Sequence, residues 1–63
     1  MSPQDIIWRA LSRLQETKEV LAETGDLHPR RNADLIDALA ECERLAQAQV
    51  NILNRMRRRY ESE

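Results

Sequence analysis

Two hydrophobic patterns run along the chain, separated by a polar stretch. In the first, Ile7, Leu11, Leu14, Lys18 and Leu21 recur at spacings of four, three, four and three, with Trp8, Ala10 and Ala22 beside them. That period is one face of an α-helix, interrupted once by the charge of Lys18. "SPQD" opens it. Ser2 supplies an N-cap hydroxyl, Pro3 takes the first helical position, where a missing N–H is no loss, and Asp5 stands three residues after Ser2. Gly25 is expected to end the helix as a residue free to take positive φ. The second pattern is longer. Leu35, Ala38, Leu39, Cys42, Leu45, Ala46, Gln49, Ile52, Leu53, Met56 and Tyr60 form a stripe of about three positions per heptad.

Between the two patterns, "GDLHPRRN" reads as the turn: Asp26 and Asn32 are available as caps, and His28 is biased toward extended backbone by Pro29. The spacing predicts a first helix over 3–24, a turn over 25–29 and a second helix over 30–60. At ~1.5 Å per residue these helices measure about 33 and about 45 Å. Folded back on each other, the second is expected to overshoot the first by about two turns, carrying Leu53, Met56, Tyr60 and the nearby arginines past it. The expected fold is all-α, an antiparallel two-helix hairpin making one domain over residues 1–63.

A single seam between two helices leaves much of this apolar set uncovered. The residues expected in the core or in a dimer contact are Ile7, Leu11, Leu14, Leu21, Leu35, Leu39, Cys42, Leu45, Ile52, Leu53 and Met56. Pairing two hairpins into a four-helix bundle would cover more of them, so a homodimer, or a complex with another helical protein, is expected.

Composition agrees with the pattern. One glycine, two prolines and two aromatics, Trp8 and Tyr60, leave helix-forming residues to supply most of the 63 positions. The charged third of the chain is nearly balanced at a formal charge of −1, which argues against the strongly basic character of general nucleic-acid binders. Cys42 is the sole cysteine, so no internal disulfide forms and a reducing compartment is expected. No signal peptide or membrane span is visible, and a cytoplasmic protein is the expectation.

Candidate chemistry changes this picture little. One His and one Cys make no metal cluster of known spacing, and there is neither a glycine-rich phosphate loop nor a nucleophile–base signature. Asp34, Asp37, Glu41 and Glu43 have the spacing of a solvated helix surface. The chain is therefore expected to be no enzyme, with no cofactor, metal or small-molecule substrate.

The candidates are for partner binding. Arg55, Arg57, Arg58 and Arg59 stand around the helix circumference rather than on one face. They read first as charge offsetting the helix dipole, then as the rim of a protein contact, and last as a phosphate site. Trp8, at the edge of its stripe, reads as intersubunit packing or as an anchor for a partner. Tyr60 ends the second stripe, and His28, Arg30 and Arg31 lie on the turn, where recognition residues tend to sit. Cys42 reads as a small core residue, and Lys18 and Gln49 as polar breaks that fix register.

Three groups of small helical hairpins share features with this sequence. Its length, and "ADLIDAL" just after the turn, resemble Rop-type plasmid RNA-binding proteins, whose hairpins dimerise into a four-helix bundle. That family reads RNA with lysines, an asparagine and an aromatic on the outer face of helix 1. The corresponding face here carries Asp5, Arg9, Glu16, Glu19 and Glu23, so the resemblance extends to architecture and leaves RNA as the competing partner class. "LAQAQVNILNRM" is similar in pattern to the C-terminal helix of small co-chaperones of type III secretion needle subunits. "HPRRNADLIDALAECERLA" and "RRRYESE" resemble in layout the small phage-encoded host-takeover proteins that inhibit quorum sensing or pili. This last resemblance implies a dimer that binds and blocks a bacterial host protein, with His28, Arg30 and Arg31 as contacts.

Overall fold

A computed structural model describes residues 1–61 and contains two helices, α1 over Pro3–Leu21 and α2 over Ala33–Glu61, packed side by side as a hairpin. The final two residues of the expected domain, 62 and 63, lie outside the described residues. Ser2 caps α1 as its sequence suggests: the hydroxyl oxygen accepts the Asp5 backbone N–H at 3.2 Å, and Pro3 follows in the first turn.

The helices run antiparallel in one continuous register. The Arg57 guanidinium lies over the Trp8 ring, and Lys18 donates a hydrogen bond across the seam to Gln47. Ten residues forward along α1 is therefore ten residues back along α2. The seam on α1 is the expected one, with Ile7 buried and Leu11, Leu14, Lys18 and Leu21 half-buried. On α2 it is Ile36, Leu39, Glu43, Ala46, Val50, Leu53, Arg57 and Tyr60, alternating at three and four. Ala46 is the other buried residue among those described, beside Gln47, which accepts the hydrogen bond from Lys18.

The structure corrects several expectations. Helix α1 stops at Leu21 rather than at residue 24, and its cap is Ala22 in a right-handed conformation. Glu19, Glu23 and Asp26 gather at this end, where the helix dipole disfavours negative charge. Gly25 does not take positive φ. The connection is consequently longer than expected and runs back along the start of α2, with Thr24, Leu27 and Asn32 half-buried. The overhang of α2 lies at this turn end. Leu53, Met56, Tyr60 and the arginines lie alongside the first turns of α1 instead of projecting beyond it.

Before α2, residues 29–32 make one helical turn whose cap is His28. The His28 carbonyl accepts the Asn32 N–H at 2.9 Å, and its imidazole Nδ1 accepts the N–H groups of Arg30 and Arg31 at 3.2 and 3.3 Å. This is N-cap geometry with Pro29 at the first position. Asn32, an expected cap, turns its amide back to donate to the His28 carbonyl. No helix among the described residues is long and apolar enough to cross a membrane.

Candidate protein interface

The seam uses only one of two apolar stripes on α2. The other sits one residue earlier and keeps the same spacing: Leu35, Ala38, Cys42, Leu45, Gln49, Ile52 and Met56. Leu35, Leu45 and Ile52 are 47, 58 and 50 % exposed, and Cys42 is exposed as well. These four therefore lie outside the hairpin's own core, which for Cys42 departs from the expected core position and for Leu35, Leu45 and Ile52 leaves the dimer contact as the expected placement. Stepping back one residue turns a side chain by about 100°, out of the seam and onto a flank.

Helix α1 carries a matching flank one residue before its own seam, with Ile6, Ala10, Arg13, Thr17 and Val20 spaced by four, three, four and three. Two right-handed helices running in opposite directions rotate oppositely along a common axis. A one-residue step back on each thus leads to the same side of the hairpin. Among the described residues seven large apolar ones are exposed, and Ile6, Val20, Leu35, Leu45 and Ile52 share this side. Met1 joins them beside Ile6, in a groove also lined by Arg9, Ala10 and Arg13. The opposite side is polar, with hydrogen bonds from Gln15 to Glu19 and from Gln47 to Asn51.

Trp8 is the seventh exposed apolar residue, and it lies on the polar side, half exposed. Arg57 stacks 5.0 Å from its ring centroid, within cation–π range. The guanidinium Nε is shut off from solvent and has no hydrogen-bond partner, while the side chain as a whole is half-buried beside the ring. Arg9, Ser12, Arg13 and Glu16 line a shallow groove beside the indole. Arg55 and Arg58 line another along the outer side of α2, with Ala48, Asn51, Ile52 and Asn54.

The partner-binding candidates thus fall into two groups at opposite ends of a molecule 51 Å long. Trp8, Arg55, Arg57, Arg58, Arg59 and Tyr60 come together at the open end, while His28, Arg30 and Arg31 sit at the turn end. His28 has a structural task there, and Arg30 and Arg31 are exposed. Within the arginine group, Arg57 packs against α1 and Arg55 and Arg59 are exposed.

Ile36 and Val50 are seam residues that the sequence pattern did not single out. Their signal is the unbroken alternation of three and four from Ile36 to Tyr60, masked by the larger side chains of the parallel stripe. No protein-family model, curated protein or solved structure matches this chain.

Proposed function

We propose that this chain is a small non-enzymatic regulator, a homodimeric helical hairpin that docks on another protein, of a bacterial host, and inhibits it by occlusion. Trp8 supports this reading most directly. It is a large aromatic left half exposed on an otherwise polar side, stacked by Arg57 and bordered by Arg9, Ser12 and the Arg13–Glu16 ion pair. Tryptophan and arginine are the side chains most enriched at binding hot spots, because they exclude water over a large area while offering hydrogen-bond donors. The partner chemistry that fits is an acidic protein surface with an apolar slot for an indole.

The test is paired capture from bacterial lysate with the wild-type chain and with Trp8→Ala. A protein retained by the wild type at moderate salt and lost by the variant supports the reading. Identical retention by both chains contradicts it. The competing partner, nucleic acid, would be recognised by co-purifying RNA or DNA whose retention collapses as salt rises.

A further inference from the structure

We propose that the apolar side formed by Ile6, Val20, Leu35, Leu45 and Ile52 binds a second copy of the chain turned end for end, giving a four-helix bundle with the two turns at opposite ends. The inference deepens the dimer reading above by assigning its surface and its orientation.

Three observations favour a second copy as the occupant. The first is folding: Ile7 and Ala46 are the only buried residues among those described, so the hairpin has little core of its own. A single core in a chain of this size rarely supplies much stability, so covering further apolar surface counts for a large part of it. A cover that must be present whenever the chain is folded is best supplied by the chain itself.

The second is size. A hairpin measuring 51 by 16 Å between Cα atoms presents a broad side of the same order as the roughly 800 Å² that each partner contributes to a standard interface.

The third is charge, which also sets the orientation. Residues 14–47, which form the turn end, hold eight acids (Glu16, Glu19, Glu23, Asp26, Asp34, Asp37, Glu41, Glu43) and four bases (Lys18, Arg30, Arg31, Arg44), a net −4. Residues 1–13 and 48–61, which form the open end, hold two acids (Asp5, Glu61) and six arginines (Arg9, Arg13, Arg55, Arg57, Arg58, Arg59), a net +4. The near-zero total conceals a molecule with a negative end and a positive end. Two copies set side by side in the same direction bring like charge against like, whereas end for end each acidic half lies against a basic half. Charges flanking an apolar helix seam set partner choice and orientation in this way. The arrangement leaves Trp8 on the outward side, so each dimer presents one Trp8 site near each end.

The orientation is read from a spin label at Asp26→Cys in the Cys42→Ala background, measured by pulsed dipolar spectroscopy on the full chain. The label pair is expected near the 51 Å long dimension of the hairpin. A distance well under half of that would mean a same-end dimer, and absence of dipolar coupling would mean no dimer; either overturns the proposal. Sedimentation of Leu45→Glu, and of the milder Ile52→Gln, is expected to show self-association weakened at least tenfold. Unchanged association in both would place the contact elsewhere. Trp8→Ala is expected to leave self-association intact, so failure of the docking reading and failure of this one are told apart.

Discussion

Gly25 and His28 show how a residue's task depends on the backbone around it. A glycine after an apolar helix pattern suggests a left-handed cap, but here α1 has ended at Leu21 and Gly25 has no positive φ. A β-carbon placed on it would meet nothing within 4 Å. Gly25→Ala is therefore expected to raise stability by about 0.4–1 kcal/mol through the unfolded chain's entropy, measured by chemical denaturation. A left-handed cap would give a loss instead. His28 reads from sequence as a recognition residue because it is polar and on a turn. In the structure its Nδ1 also accepts two backbone N–H groups, a role usually filled by Ser, Asp or Asn. His28→Ala is expected to cost about 1 kcal/mol and His28→Asn much less, in the same denaturation experiment. No residue pattern announces that role, because a histidine side chain caps only when the backbone happens to present the right donors.

At the scale of the helices, the element types and the hairpin were legible because the apolar spacings are strongly helical and Ser2-Pro3 marks a start. What the sequence left open is which stripe of α2 faces α1. Leu35, Leu45 and Ile52 are bulkier than the Glu43 and Ala46 of the true seam, so hydrophobicity alone favours the wrong face. Burial shows which one does: Ala46 lies buried in the seam while Leu45, one residue before it, is 58 % exposed. Ala46→Leu is accordingly expected to destabilise the fold by about 1–3 kcal/mol through overpacking. Ala48→Leu, at an exposed position, is expected to stay within about 0.5 kcal/mol. Equal effects at the two sites in thermal melts would mean that the seam is misassigned. The helix ends were less legible than the helices. The stop at Leu21 is set by the Ala22 cap, where the N–H groups of Ala22 and Glu23 bond back to the carbonyls of Lys18 and Val20, and that does not follow from apolar period.

For the whole molecule, the decisive feature is that α2 repeats its apolar pattern one residue out of phase, and α1 sets Ile6, Ala10 and Val20, with Arg13 and Thr17 between them, on a flank that turns to the same side. One pattern builds the hairpin and the other builds a surface. The candidate site was legible only in part: Trp8 and the arginines were singled out residue by residue, but the stacking of Arg57 on Trp8 depends on a register that no local pattern contains. Sedimentation equilibrium of the unmodified chain across micromolar concentrations decides whether the hairpin stands alone. A folded species of twice the 7.4 kDa chain mass is expected, dissociating on dilution with loss of helix. A stably helical 7.4 kDa species throughout that range, with Leu45 and Ile52 left in water, would contradict it.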